Sequence, residues 1–198
     1  FGTMVLFSYI TLAVAEDLGY ETITPPQPTQ NPDKVEVIEF FWYGCPHCYH
    51  LEPEIVKWLK TKPKNVEFIR QPAVFSKIWG DHAKAYFTAE ALGIVEKVHA
   101  DFFDAIQNQH QTLETEDDLA KFFKAHGVEE KAFHDAYNSF LVDTKFRQAS
   151  TMGARYGITG VPALIINGKY KTTGALAKSQ PNMITVMNQL IQKESQGH

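Results

Sequence analysis

Apolar and polar residues along the first third of the chain predict two strands. The segment VEVIEFFWY, residues 35–43, alternates in polarity and then becomes aromatic, which is typical of a buried strand. The segment NVEFIRQPAVF, residues 65–75, predicts a second strand. We expect that strand to end before Pro72, because a proline restricts the backbone of the residue before it.

The residues between these strands predict a helix. Within CPHCYHLEPEIVKWLKTK, residues 45–62, the large apolar side chains recur at helical spacings. Pro46 falls in the first turn, where a helix tolerates proline, whereas Pro53 predicts a kink.

Between residues 76 and 150, apolar residues recur at spacings of three and four, which predicts a block of helices. The best delimited helix begins with the capping pair Thr115 and Asp118 and ends at Gly127. We expect the phenylalanines of this block to form its core: Phe102, Phe103, Phe122, Phe123, Phe133 and Phe140.

Strand patterns return after residue 160. VPALIING and KYKTTG, residues 161–174, predict a β-hairpin, because Asn-Gly between two such segments is a strong turn signal. An amphipathic helix is predicted after Pro181. The order of elements predicts an α/β domain, residues 16–75 and 150–198, into which an all-helical domain, residues 76–149, is inserted.

The first fifteen residues, FGTMVLFSYITLAVA, are apolar and uncharged. They end in Ala13-Val14-Ala15, which fits a signal-peptidase site, and they are too short to span a bilayer at about 20 residues. We interpret residues 1–15 as a signal-peptide-like remnant, so that the mature chain begins near Glu16 and works outside the cytoplasm. The alternative is an ordinary N-terminal strand or helix. If this segment is ordered, our hypothesis is that it docks in a groove beside Pro162.

Composition limits the classes of function. The chain has 198 residues, 44% of them hydrophobic, and a net charge of −4 without a long basic segment, which argues against nucleic-acid binding. Its two cysteines cannot form a disulfide scaffold. A Cys2His2 metal site with His47 and His50 is a weak alternative, because such sites place their histidines far downstream of the cysteines. We therefore expect no metal.

The two cysteines, Cys45 and Cys48, are separated by Pro46 and His47 at the predicted strand-to-helix junction. A helix N-terminus favours negative charge, so Cys45 is expected as the reactive thiolate and Cys48 as its partner one turn inward. Attack by one sulfur and resolution by the other gives thiol–disulfide exchange without another cofactor. His47 would stabilise the thiolate, which makes the disulfide form an oxidant. The alternatives are a static structural disulfide and, for His47, a plain surface position, whereas His50 is expected on the helix surface without a role in the reaction.

The segments EFFWYGCPHCYHLEP, residues 39–53, and GVPALIINGKY, residues 160–170, resemble the DsbA family of periplasmic thiol:disulfide oxidoreductases. The resemblance covers residues 31–193 and implies a thioredoxin-like fold with an inserted helical domain. FWYGCPHCY and RQPAVF are more similar to Pseudomonas and Acinetobacter members than to enteric ones. Position 72 departs from the enteric members, which have histidine there.

The resemblance also implies roles for residues. Cys45 would be the exposed nucleophile, Cys48 the buried partner, and Pro46-His47 the tuning dipeptide. Val161 and Pro162 would lie opposite them, with Pro162 in cis and the Val161 backbone presented to an extended substrate. From the residues alone, Pro162 could equally begin a strand.

Three charged residues match positions that the family keeps near the buried cysteine: Glu39, Glu52 and Arg70. Glu39 lies in an otherwise apolar strand, so it needs a partner or a raised pKa. It could relay protons to and from Cys48, or form a plain salt bridge with Arg70 or Lys57.

The activity implied by the resemblance is oxidation of unfolded, newly exported proteins in the periplasm by a monomer. A DsbB-type membrane quinone-linked oxidase would regenerate the disulfide. Two alternatives stay open: a disulfide isomerase or reductase, whose members usually dimerise through an added domain, and a non-redox peptide-binding or chaperone-like module.

Overall fold

A five-stranded sheet forms the centre of the computed structural model, which describes residues 18–196. The strand order is β1-β5-β4-β2-β3; β2 and β3 are parallel and the other pairs are antiparallel. The strands are β1 Glu21–Thr22, β2 Val35–Phe41, β3 Val66–Pro72, β4 Ala163–Ile166 and β5 Tyr170–Thr173. The predicted signal-peptide-like segment, with its proposed docking, lies outside the described residues.

Seven helices surround the sheet within this part of the chain. They are α1 Pro46–Leu59, α2 Lys77–Ala91, α3 Val95–Gln107, α4 Glu116–Ala125, α5 Glu130–Tyr137, α6 Phe140–Arg155 and α7 Gln180–Ser195. Helices α1 and α7 pack on one face of the sheet, whereas α2 to α6 form the helical block that the sequence predicts. Helix α6 continues past residue 150, so one unbroken helix leads from the block back towards the sheet.

Strand β2 is an interior strand of the sheet, which explains why most of its residues are apolar. All of its residues are buried, because the strand lies between β3 and β4 and both faces of the sheet are covered. This placement also buries Glu36 and Glu39.

The predicted end of β3 is wrong by one residue. The strand includes Pro72, which pairs with Phe41 of β2. Since β3 is an edge strand, the missing N–H of a proline removes no hydrogen bond that the sheet needs. The two-residue strand β1, which pairs with β5, was not predicted because it is too short to show a period.

Local turn and capping signals are confirmed. The Thr115 hydroxyl accepts a hydrogen bond from the Asp118 N–H at 3.1 Å, and Gly127 has a φ of +84°. Asn167 and Gly168, in the hairpin turn, have φ angles of +52° and +65°. A Cβ on Gly168 would lie 2.0 Å from the carbonyl oxygen of Gln27, so this turn excludes any side chain.

The predicted aromatic core is correct for five phenylalanines and wrong for one. Phe102, Phe103, Phe122, Phe123 and Phe133 are buried, whereas Phe140 is 80% exposed. Phe140 is the first residue of α6, directly after the N-cap Ser139, and the buried side of that helix begins at Val142. No helix within residues 18–196 is long and apolar enough to cross a membrane.

Candidate active site around Cys45 and Cys48

Cys45 lies at the N-cap of α1, as the sequence predicts. Its N–H donates to the carbonyl of Trp42 at 3.0 Å, and its own carbonyl accepts from the N–H of Tyr49 at 3.1 Å. Pro46 occupies the first turn, and α1 remains continuous through Pro53. The sequence therefore folds locally so that one sulfur lies at the positive end of the helix dipole.

The two cysteines are thiols in very different surroundings. Cys48 is fully buried, whereas Cys45, which the resemblance implies to be exposed, is also buried and only 8% exposed. A hydrogen bond from the Cys48 side chain is the largest cause that lowers the pKa of Cys45, to about 6, with smaller contributions from the backbone N–H groups of Cys48 and His47 and from the His47 charge. Burial opposes this lowering of the Cys45 pKa, and burial raises the pKa of Cys48 well above its ordinary value. At neutral pH the pair thus holds one thiolate and one thiol.

The loop before β4 faces the same sulfur. The Val161–Pro162 peptide bond is cis, and the Cys45 Sγ lies 3.4 Å from the carbonyl oxygen of Val161. Pro162 is buried directly before Ala163, the first residue of β4. The chain therefore brings Val161 to the reactive sulfur.

Val161 lines a groove of about 610 Å³ together with His47, Pro162, Ala175 and Pro181, among others. Trp42, whose carbonyl accepts from the Cys45 N–H, stacks on Trp79 with 4.2 Å between ring centroids, and the half-exposed Phe75 packs on Trp79 at 4.9 Å. Apolar side chains therefore line the groove and the segment that leads into Cys45.

Three residues of α1 that neighbour the cysteines in the sequence are exposed: Pro46, His47 and His50. Pro46 and His47 reach solvent, and Gln180 on α7 donates to the His47 carbonyl at 3.0 Å. His50 is exposed and contacts the ring of Tyr49. Within residues 18–196, no three side chains of His, Cys, Asp or Glu are grouped to hold a metal ion.

The structure brings together the three charged residues that the sequence predicts near Cys48. Arg70 Nη2 donates to Glu52 Oε1 at 2.6 Å, and Arg70 Nε lies 3.6 Å from Glu39 Oε2. All three side chains are buried, whereas Lys57 is exposed. The partner of Glu39 is therefore Arg70.

The two carboxylates of this cluster are not equivalent. Burial, assisted by the charge of Glu52, raises the pKa of Glu39 to about 8, and Arg70 only partly opposes this. Burial alone would also raise the pKa of Glu52, but His99 and Arg70 together lower it. The charge of Glu39 in turn raises the pKa of Cys48, so the cluster is electrostatically coupled to the buried thiol.

Two members of this buried site, His99 and Tyr43, were not predicted from the sequence. His99 on α3 has its Nδ1 2.7 Å from the Tyr43 hydroxyl and its Nε2 3.5 Å from Glu52 Oε2. In the sequence, His99 is a single histidine on the apolar face that Phe102 and Phe103 continue, so the pattern assigns it to the core. Its polar environment depends on Glu52, which comes from another helix.

The comparisons with known proteins agree with this geometry. The family model described as DSBA-like thioredoxin domain matches residues 79–183. The chain is 38% identical to a Pseudomonas aeruginosa protein named thiol:disulfide interchange protein DsbA, over 88% of this chain and 83% of that one. It is 42% identical to the protein of the same name from Burkholderia cepacia, over 91% and 86%.

The solved structures give the same result. The crystal structure of Pseudomonas aeruginosa DsbA superposes with a TM-score of 0.87 at 37% identity, covering 90% of this chain and 93% of that chain. An oxidoreductase DsbA from Xylella fastidiosa reaches a TM-score of 0.83 at 29% identity, covering 89% and 95%. The predicted thioredoxin-like fold with helical additions, and the similarity to Pseudomonas proteins, are thereby confirmed.

Proposed function

The chain belongs to the DsbA family of thiol:disulfide interchange proteins, and on that premise we propose that its Cys45–Cys48 pair oxidises unfolded, newly exported proteins. The observation that carries the proposal is the contrast between the two thiols. The pKa of Cys45 is lowered to about 6 and that of Cys48 is raised. Because only the reduced protein gains from a stabilised thiolate, its disulfide form accepts electrons readily.

The exchange proceeds in two displacements. A substrate thiolate attacks the Cys45 sulfur of the disulfide, forming a mixed disulfide, and Cys48 leaves with the electron pair and takes a proton. A second substrate thiolate then attacks the substrate sulfur of that mixed disulfide, and Cys45 leaves as a thiolate. The substrate loses two electrons and gains a disulfide, while the protein becomes a dithiol.

Glu39 is the proposed source of the proton that Cys48 takes. Its pKa of about 8 leaves it largely protonated at neutral pH, and it is coupled to the buried thiol. Arg70 and Glu52 form an ion pair next to Glu39 and act on its pKa in opposite directions: Arg70 lowers it and Glu52 raises it. In the reverse reaction, Glu39 would accept the proton of Cys48.

Substrate binding is assigned to the loop of Val161 and Pro162. An extended peptide could pair with the backbone of Val161, whose carbonyl lies 3.4 Å from the Cys45 sulfur. The adjoining groove and the stacked tryptophans Trp42 and Trp79 offer contacts for apolar side chains. Such contacts suit unfolded chains, which expose both extended backbone and apolar residues.

The proposal extends to compartment and partners. We place the protein in the periplasm as a monomer, in line with the signal-peptide-like sequence of residues 1–15. Disulfides form and persist in that compartment, so an oxidant can act there. A DsbB-type membrane quinone-linked oxidase is the proposed electron acceptor for the dithiol.

A redox titration of the Cys45–Cys48 pair against glutathione, together with an insulin-reduction assay, tests the proposal. We expect a potential near the oxidising end of the range known for such pairs, about −120 mV. A potential near that of thioredoxin, about −270 mV, would instead favour a reductase or isomerase. Absence of turnover in a protein that still binds unfolded peptides would favour a non-redox chaperone-like module.

A further inference from the structure

His99 is a buried imidazole beside the reaction centre that none of these steps uses. It lies on α3 and is 4% exposed. Its two ring nitrogens face different partners, the Tyr43 hydroxyl and the Glu52 carboxylate. In a neutral imidazole one ring nitrogen donates and the other accepts, so the hydrogen bond made by one nitrogen sets whether the other can act as a donor.

The Tyr43 hydroxyl and the Glu52 carboxylate together determine which ring nitrogen of His99 carries the hydrogen. Burial raises the pKa of Tyr43 well above its ordinary value, so the phenol keeps its proton. Burial also lowers the pKa of His99, so the ring is neutral and carries one N–H. If Tyr43 donates to Nδ1, that N–H is on Nε2 and faces Glu52. The opposite tautomer would direct a nitrogen lone pair at a carboxylate oxygen, which electrostatic repulsion disfavours.

The guanidinium of Arg70 is shared unequally between the two carboxylates. Glu52 receives a hydrogen bond of 2.6 Å from Nη2, whereas Glu39 lies 3.6 Å from Nε. Glu52 additionally faces the His99 ring, and Glu39 does not. Two neighbouring buried carboxylates rarely ionise together, so one of them holds a proton. The better partners of Glu52 leave that proton on Glu39.

We propose that His99 is a positioning residue for thiol–disulfide exchange: held by Tyr43, it keeps Glu52 ionised and thereby leaves the shared proton on Glu39. This inference rests on the proposed function, in which Glu39 gives a proton to Cys48. When the Cys45–Cys48 bond breaks, Cys48 leaves with the electron pair and the Glu39 proton moves to its sulfur. His99 transfers no proton and changes no oxidation state.

The remaining ionisable groups around this cluster do not account for the effect. Glu96 on α3 lies 3.9 Å from Arg70 Nη1, but its side chain is 92% exposed and water screens it. Tyr86 on α2 has a pKa raised by burial and stays neutral. Strand β4, which neighbours Glu39 in the sheet, contributes only apolar side chains. Cys48 on α1 is the reacting group itself.

Infrared spectroscopy of the reduced protein tests this inference directly. The carbonyl stretch of a protonated buried carboxylic acid is titrated with pH, and Glu39→Gln identifies the band. In His99→Asn, which keeps a polar atom for Tyr43 but no donor for Glu52, we expect the midpoint to fall by about half a pH unit or more. His99→Gln places an N–H nearer Glu52 and is expected to retain the wild-type midpoint.

Kinetics supply an independent readout. Oxidised protein is mixed with a reduced cysteine peptide, and release of Cys48 is followed by stopped flow at several pH values. A half-unit fall in the Glu39 midpoint predicts about twofold slower release at pH 8 in His99→Asn, and about threefold slower release near pH 9, where Glu39 is mostly ionised in both proteins. The thiolate absorbance of Cys45 should titrate as in wild type, because His99 is not among the groups that lower its pKa.

Two tyrosine variants provide a matched pair. Tyr43→Phe removes the hydroxyl that fixes the tautomer and is expected to lower the midpoint in the same direction but less. Tyr86→Phe is the control: its ring meets the His99 ring edge-on at 6.0 Å between centroids, and the Tyr43 hydroxyl stays in place. If His99→Asn does not fold, Tyr43→Phe against Tyr86→Phe decides the question.

The outcomes separate this inference from the proposed function. An unchanged infrared midpoint in every folded variant among His99→Asn and Tyr43→Phe, with normal Cys45 chemistry, overturns the role of His99 alone. If wild-type Cys45 titrates like an ordinary thiol, or no mixed disulfide forms, the proposed function itself is overturned, independently of the midpoint of the Glu39 infrared band. A lowered midpoint with slowed release supports the inference.

Discussion

The two sides of the cysteine pair differ in how they control charge. On the outer side, Cys45 is at the start of α1, and hydrogen bonds from Cys48 and from backbone N–H groups stabilise its negative charge. On the inner side, burial governs the ionisation of Cys48, and the charge of Glu39, which is grouped with Glu52 and Arg70, also acts on it. The outer side therefore stabilises a thiolate, whereas the groups of the inner side take up and release protons.

This difference shows why the two sulfurs are not interchangeable. A thiolate near solvent needs only donors, which the first turn of a helix provides. A buried thiol that must gain or lose a proton needs a nearby acid, and a buried acid needs a counter-ion. The chain meets the first need within one turn and the second with residues from β2, β3, α1 and α3.

The largest expected effect comes from replacing each of the two cysteines in turn by serine. Cys45→Ser should abolish exchange, since the attacked sulfur is lost. Cys48→Ser should instead accumulate mixed disulfides through Cys45, because no partner sulfur resolves them. Non-reducing gel electrophoresis after incubation with an oxidised cysteine peptide distinguishes the two. Equal trapping by both variants would contradict the asymmetry.

The next effect concerns the stability of the inner side. Arg70→Met leaves two buried carboxyl groups without their cation and should lower the free energy of unfolding by about 3–5 kcal/mol. Urea unfolding at pH 7 measures this change. Lys57→Met, on the exposed side of α1, is the matched control and should change stability by about 0.5 kcal/mol or less. Equal effects of the two substitutions would show that Glu39 and Glu52 do not depend on Arg70.

A smaller effect concerns pH and the outer side. Because folding lowers the pKa of Cys45 from its ordinary 9 to about 6, the reduced protein gains stability that is complete above pH 9. This contribution is lost as the pH falls through about 6. The free energy of unfolding is measured with urea from pH 5 to 9 for the reduced and the oxidised protein. The rise with pH that is due to Cys45 should appear only in the reduced form.

The smallest effect refines that result. His47→Ala removes the charge that makes the smallest contribution to the lowered pKa of Cys45, so the thiolate absorbance midpoint should rise slightly, by less than about one pH unit. His50→Ala, also exposed on α1, is the matched control and should leave the midpoint unchanged. A larger rise than one unit would mean that His47, rather than the hydrogen bonds, dominates the outer side.

Features that depend on neighbours in sequence were predictable. The N-cap position of Cys45, the capping pair of Thr115 and Asp118, and the Asn167-Gly168 turn were each predicted from a few adjacent residues. Local backbone geometry determines them, so a short window of sequence contains their cause.

Features that depend on distant contacts were predicted less well. The sequence did not decide between Arg70 and Lys57 as a salt-bridge partner of Glu39, and it assigned Phe140 to the core. It also ended β3 before Pro72, because the edge position of that strand is not visible in its own residues. His99 was missed for the same reason, since its carboxylate partner lies on a different helix.

The sequence by itself determined the reactive pair, the helix that begins beside it, the order of the helices and of strands β2 to β5, and the family resemblance. Only the tertiary structure decided that Val161 faces the Cys45 sulfur and that Arg70, Glu52, Glu39 and His99 meet in one buried cluster. The physical reason is the range of the interactions. Helix ends and turns depend on bonds between near neighbours, whereas the ionisation of a buried group depends on every charge that folding brings close to it.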